Sequence, residues 1–165
     1  MARGLVFSSD LGTFGYNFQN CKKVSMDIRA LTPAYAVSPQ IALEDLAGIK
    51  AAGYTTVIDN RPDGEIPPDL HSYNMRAAAE ALGLVFHVNP VIGGALTAEN
   101  VSLQAEIMAH ANGPVFAYCA SGNRCSIVWA LTEAGKQSAD DLISVPAKFG
   151  YNLEHLRPIL DTAKR

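Results

Sequence analysis

Apolar positions in this chain come in short runs, and runs of two kinds alternate. Thr55-Thr56-Val57-Ile58-Asp59 is compact and β-branched, and Val115-Phe116-Ala117-Tyr118 is continuously apolar. Both patterns predict strands buried on both faces. Leu84-Val85-Phe86-His87-Val88 predicts a further strand, and Tyr35-Ala36-Val37 a short one. Segments with helical spacing lie between them. From Ala42 to Ala52, Leu43, Leu46, Ile49 and Lys50 recur at that spacing, and Gly53 stands where a C-cap glycine would. Leu70 to Leu82 is alanine-rich and stops at Gly83. Thr97 predicts the N-cap of a helix through Ala111, ended by Asn112-Gly113. A helix over Arg124 to Ala134 is stopped by Gly135. Ser138-Ala139-Asp140-Asp141 caps another, which Pro146 should kink or break. A last helix is expected from about Asn152, with Pro158 disturbing it.

Strands alternating with helices predict a single α/β domain. Its sheet of about four to five strands should be mostly parallel, with helices on both faces. In such sheets ligands bind beyond the C-terminal ends of the strands. The loops after Asp59, Asn89 and Tyr118 meet that rule, so Arg61, Asp63 and Gly93-Gly94 are expected on one rim with the residue after Tyr118.

Composition narrows the partners. The chain has 165 residues, 48% of them apolar, which suits one domain with one core. A net charge of −3 argues against a nucleic-acid partner. No apolar run approaches the ~20 residues a membrane span needs. Three cysteines (Cys21, Cys119 and Cys125) are too few for a disulfide scaffold, and a reduced, cytoplasmic setting is expected. Residues 1–25 lack periodicity and an export signal, and are expected to be a weakly ordered extension preceding a catalytic domain over 26–165. His71, His87, His110 and His155 lack metal-ligand spacing, so no metal is expected. No dinucleotide or Walker fingerprint exists, so no cofactor is expected.

The chemistry concentrates in Cys119-Ala120-Ser121-Gly122-Asn123-Arg124-Cys125. A strand ends on a cysteine, and a short glycine-containing loop closes on an arginine that opens a helix. Backbone N–H groups from Ala120, Ser121, Gly122 and Asn123 would line an anion cradle, and the helix dipole adds positive charge. Cys119 is expected to be a thiolate near neutral pH and the nucleophile of a covalent group transfer. Arg124 would clamp the anion through two parallel hydrogen bonds.

This loop resembles the active loops of protein tyrosine phosphatases and rhodaneses. Taken with residues 26–33, 35–40 and Asn60-Arg61-Pro62-Asp63-Gly64-Glu65, the sequence is similar over about residues 26–160 to a small bacterial family. That family is the phosphatase-like domain of beta-lactamase-hydrolase-like proteins, whose members are also catalogued as sulfur transferases. The resemblance implies a tyrosine-phosphatase-like fold and a small anionic or sulfur-containing substrate. Two positions depart from the family pattern: Ala120 stands where Arg is common, and Cys125 where Ser is common.

Two features divide phosphoryl from sulfur chemistry. Cys119 and Arg124 enclose four residues, one fewer than in tyrosine phosphatases, and the tighter ring suits a persulfide. Phosphate ester cleavage also needs a proton for the leaving oxygen. The Asn89–Gly94 loop has no carboxylate, so Asp63 is the substitute acid, unless Pro-Asp-Gly is simply a turn. The favoured expectation is sulfur transfer through a Cys119 persulfide. The alternatives are a phosphatase-like hydrolase acting through phosphocysteine and a non-catalytic anion-binding module. Arg61 either binds a second anionic group or, preferably, pairs with a carboxylate and pins its loop. Cys125 reads first as a small buried helix residue and second as a resolving thiol.

Overall fold

The structure, a computed structural model, describes residues 26–163; the expectation for residues 1–25 lies outside them. Five strands form one sheet: β1 (Arg29–Thr32), β2 (Tyr35–Ser38), β3 (Thr56–Asp59), β4 (Val85–Val88) and β5 (Val115–Tyr118), in the order β1-β2-β5-β3-β4. Every pairing is parallel except β1 with β2. β5 lies at the centre. It pairs with β2 on one side and β3 on the other, and all four of its residues are buried, which is why its sequence is continuously apolar.

Six helices cover the two faces: α1 (Asp45–Ala51), α2 (Ser72–Ala81), α3 (Ala98–His110), α4 (Asn123–Thr132), α5 (Ala139–Ala147) and α6 (Arg157–Thr162). α1 and α2 bury Leu46, Ile49, Met75 and Ala79 against Val57, Phe86 and Phe116. The helices from α3 onward bury Ile107, Trp129, Leu142 and Leu160 against Val37, Ile58 and Ala117. Trp129 stacks on Tyr35 with ring centroids 6.3 Å apart. The expected α/β architecture with helices on both faces is the one observed.

Three local differences have physical causes. β1 was not among the expected strands: it is a four-residue edge strand with only Leu31 buried, too short and too exposed to carry periodicity. Pro146 does not break α5, because it falls in the last turn and the helix ends one residue later. The Asn60–Asp69 loop contains two single turns of 3₁₀ helix, Asp63–Glu65 and Pro68–Leu70. Thr97 does cap α3: its hydroxyl accepts from Asn100 N, and Asn100 Oδ1 accepts in return from Thr97 N at 3.1 Å.

The topology locates the site. The chain leaves β2, passes through α1 and enters the sheet again at β3, on the far side of β5. The connections therefore run to opposite sides of β5, and a crevice opens beyond its carboxyl end. Cys119 is the first residue past that end.

Candidate active site

The ladder guides Cys119 into place. Its N–H donates to Ser38 O at 3.3 Å, and Asn60 N–H donates to Tyr118 O at 2.9 Å, so the tips of β2, β5 and β3 are tied together at the loop. Gly122 then adopts φ +87° directly before α4, turning the chain so that the helix begins over the cysteine. Gly122 N–H donates to Cys119 Sγ at 3.1 Å. Ser126 Oγ donates to Gly122 O at 2.9 Å and closes the loop from the helix side. Ala120 and Ser121 are exposed, while the sulfur beneath them is buried.

The Cys119 thiol is pulled down to about 5. A hydrogen bond from the Cys125 thiol is the largest cause, helped by N–H groups of Cys125, Ser121 and Gly122; burial opposes them. Donors to the thiolate outweigh desolvation, so Cys119 is charged at neutral pH. Cys125 itself is pushed well up, first by burial, then by its interaction as donor with the Cys119 sulfur and by that sulfur's charge.

Arg124 takes the position expected at the start of α4, but it already holds an anionic group. Its Nη1 and Nη2 donate to the two carboxylate oxygens of Glu65 at 2.9 and 2.7 Å, and Nη1 also donates to Val91 O at 2.6 Å. Arg124 holds Glu65 below the usual carboxylate range. This end-on fork leaves Nε–H and one N–H of Nη2 without a bond among the described residues, and these lie on a second edge of the guanidinium. Sequence reasoning gave Glu65 no role beyond its place in the Asn60–Glu65 run. The one signal in the sequence was a carboxylate on a loop expected at the same rim.

The other rim residues serve the loop that carries Glu65. Arg61 donates to Gln40 Oε1 at 3.1 Å and to Glu65 O at 3.2 Å, and its Nε lies 3.4 Å from Glu65 Oε2. Asp63 is not placed as a free acid. One of its oxygens accepts from Ser72 N at 2.7 Å and the other from Ser72 Oγ at 2.8 Å, so the carboxylate caps α2. Its expected role as the proton donor is corrected on that ground: both oxygens are engaged away from Cys119.

A second carboxylate sits deeper. Asp59 is fully buried, and burial raises it to about 6. Its Oδ1 accepts from Arg61 N at 2.9 Å. Its Oδ2 and the buried Tyr118 hydroxyl have no partner of hydrogen-bonding geometry, although each perturbs the other's titration. Asp59 and Tyr118 are register partners on β3 and β5, so they share the sheet face opposite the one on which Cys119 packs.

The far side of the loop is braced by residues that sequence reasoning passed over. Tyr151 OH donates to Ser121 O at 2.8 Å and accepts a very short bond from Arg29, whose guanidinium lies over the Tyr151 ring at 5.2 Å. Arg29, Pro39, Ala120, Ser121, Phe149 and Tyr151 line a shallow groove of about 540 Å³ beside the loop. His87 lines a different cavity, with Thr55, Val85 and His110, and so stands apart from Cys119. Among the described residues no His, Cys, Asp and Glu cluster could hold a metal ion, and no helix is long and apolar enough to cross a membrane.

A central parallel strand that ends on a cysteine, a left-handed glycine and a helix with an arginine in its first turn define a tyrosine-phosphatase-like fold. The family described as beta-lactamase hydrolase-like protein, phosphatase-like domain, matches residues 27–136, and the chain belongs to it. The beta-lactamase hydrolase-like protein of Agrobacterium fabrum (strain C58) is 31% identical over 119 residues, covering 71% of this chain and 28% of that protein. The chain thus spans under a third of the length of the curated relatives it matches. A candidate phosphatase from Neisseria meningitidis Z2491, solved by crystallography, superposes with a TM-score of 0.71 at 33% identity, covering 83% of this chain and 98% of that one. Kinase associated phosphatase, with its catalytic cysteine replaced by serine, superposes with a TM-score of 0.63 at 14% identity, covering 83% of this chain and 97% of that one; this is a likeness of fold.

Proposed function

We propose that the chain is a thiolate-dependent hydrolase of phosphate esters or anhydrides, working through a phosphocysteine at Cys119. The observation that carries this reading is the Cys119 thiolate, held at about 5 beneath the first turn of α4 and beside Arg124. The thiolate attacks phosphorus, an S–P bond forms, and the P–O bond to the leaving group breaks. Water then cleaves the S–P bond and releases phosphate. The unbonded edge of Arg124 and the N–H groups of the loop bind the phosphoryl oxygens, with Glu65 holding the guanidinium in plane. The phosphatase-like family and the candidate phosphatase at 33% identity favour this reading over the sulfur transfer preferred from loop length.

The carboxylates define the substrate further. Asp63 is committed to Ser72, and Asp59 lies on the other face of the sheet. With no free acid over the loop, the leaving group departs without a proton. Aryl phosphates, acyl phosphates and phosphoanhydrides meet that condition; simple alkyl phosphates do not. The test is acid quenching during turnover of an aryl phosphate, followed by mass analysis of the tryptic peptide 77–124. A gain of about 80 Da on Cys119 is expected. Turnover without that adduct would remove the phosphocysteine, and no turnover of any of the three classes would remove hydrolysis.

The four residues between Cys119 and Arg124 support a second reading, sulfur transfer. Incubation with thiosulfate would then add about 32 Da at Cys119, removable by thiols. The same quench experiment, run with both donors, separates the two.

Glu65→Gln should lower kcat/KM by about 10- to 100-fold, because a neutral amide keeps one bond to Arg124 but not the charged fork that fixes its plane. Thermal stability should change little, since Glu65 is partly exposed. Unchanged kinetics in this variant would make the pair a surface contact only.

A further inference from the structure

Two hydrogen bonds at the active loop meet in a single peptide group. Tyr151 OH donates to Ser121 O at 2.8 Å, and Gly122 N–H donates to Cys119 Sγ at 3.1 Å. Ser121 C=O and Gly122 N–H are the two ends of that group, which is planar and trans. In a trans peptide the oxygen and the N–H point in opposite directions, so a bond that fixes the oxygen also fixes where the N–H points. A donor at the oxygen also polarises the N–H at the other end.

Tyr151 is itself held firmly. It is buried in the cluster that contains Cys119, and its backbone N–H donates to Pro146 O at 3.2 Å. The Arg29 guanidinium lies over its ring at 5.2 Å and donates to its hydroxyl oxygen, while Arg29 Nε donates to Asp27 at 3.0 Å. A guanidinium has no acceptor, so the Tyr151 proton cannot point to Arg29 and is left for Ser121 O. Gly122 has no side chain to stand between the hydroxyl and the loop.

We propose that Tyr151, clamped by Arg29, is a positioning residue for the nucleophile: its hydroxyl holds the Ser121–Gly122 peptide with the Gly122 N–H aimed at the Cys119 sulfur.

The role presupposes that Cys119 is the nucleophile of the proposed hydrolysis. Gly122 N–H is one of the donors that pull Cys119 down. Without the Tyr151 hydroxyl the peptide is free to turn, and the thiolate loses that donor. Losing a donor to the charged form raises the pKa, so reactivity falls most at acid pH and is unchanged where the sulfur is charged in both chains. The other titratable or charged groups that act on this sulfur are Cys125 and Arg124 on α4, Asp59 at the end of β3 and Tyr35 on β2. None of them bonds to Tyr151 OH, so they act alike with and without it.

The test is the rate of iodoacetamide alkylation of Cys119 against pH in the full chain, read from the mass of tryptic peptide 77–124. In Tyr151→Phe the midpoint should rise from about 5 by about one pH unit, with the alkaline plateau unchanged. Arg29→Lys keeps the charge but cannot hold Asp27 and the Tyr151 hydroxyl through one rigid fork, so it should shift the midpoint the same way by roughly half as much. For an aryl phosphate, kcat/KM of Tyr151→Phe should fall about fivefold near pH 5 and little at alkaline pH. An unmoved midpoint in Tyr151→Phe, or a rate reduced by the same factor at every pH, would overturn the proposal; if that variant does not fold, an unmoved midpoint in Arg29→Lys does so. Gly53→Ala strains the backbone away from the loop and should keep the midpoint at about 5; a shift there as well would tie the midpoint to stability and overturn the proposal too. A shifted midpoint in Tyr151→Phe with no turnover of any phosphate would uphold the positioning and remove the hydrolysis, so the two failures are told apart.

Discussion

Cys119→Ser should lower turnover of an aryl phosphate by about 10⁴-fold or more, the scale seen when a covalent nucleophile is removed. The loop is organised around a charged sulfur. The Cys125 thiol and the N–H groups of Cys125, Ser121 and Gly122 all donate toward it, and together they hold it at about 5 against the cost of burial. A serine hydroxyl in the same place stays neutral, and the donors that stabilise a thiolate do not make it a nucleophile. Anion binding should survive, because the helix N-terminus and the free edge of Arg124 are untouched; inorganic phosphate should bind at least as tightly once the negative sulfur is gone. The unmutated chain should also show the titration. A group whose pKa is depressed is charged above that value, so alkylation of Cys119 should be level above pH 5 and fall as pH drops through about 5. Retention of more than about 1% of activity in the serine variant would move the chemistry to another residue.

The parts of this protein legible in the sequence are those set by local pattern. β5 shows as an unbroken apolar run because helices cover both faces of the sheet at this central strand. Gly122 and Arg124 mark the loop because a left-handed turn and a helix start each ask for particular residues within a few positions. Contacts made across the fold were not legible. Glu65 and Asp63 are two residues apart on one loop, yet one turns inward to Arg124 and the other backward to Ser72, and nothing in Pro-Asp-Gly-Glu says which does which. Asp59 looks like the end of a strand; only the sheet order makes it a buried acid beside Tyr118. Tyr151 reaches the loop from 30 positions away and Arg29 from 92, on elements that show little amphipathic pattern.

That distant brace sets up the second large effect, at Gly122. A Cβ added there would lie 2.2 Å from Tyr151 Oη and 3.0 Å from its Cζ. The ring cannot simply withdraw, because its hydroxyl is bonded to Ser121 O and to Arg29. The residue also sits at φ +87°, where a side chain is strained whatever the space. Strain of about 1–3 kcal/mol and overpacking of about 1–3 kcal/mol act together, so Gly122→Ala should lower the melting temperature by on the order of 10 °C. Gly53→Ala supplies the comparison. It has φ +97° with nothing within 4 Å of the added carbon, so it carries the backbone strain alone and should melt roughly half as far below the unmutated chain. Tyr151→Phe placed on Gly122→Ala removes the hydroxyl that meets the new methyl, and should return part of the difference between the two glycine variants even though it gives up the bonds to Ser121 and Arg29. If Gly122→Ala melts no lower than Gly53→Ala, then Tyr151 yields easily, and the loop that carries Cys119 is held by the strand tips and α4 rather than by the C-terminal brace.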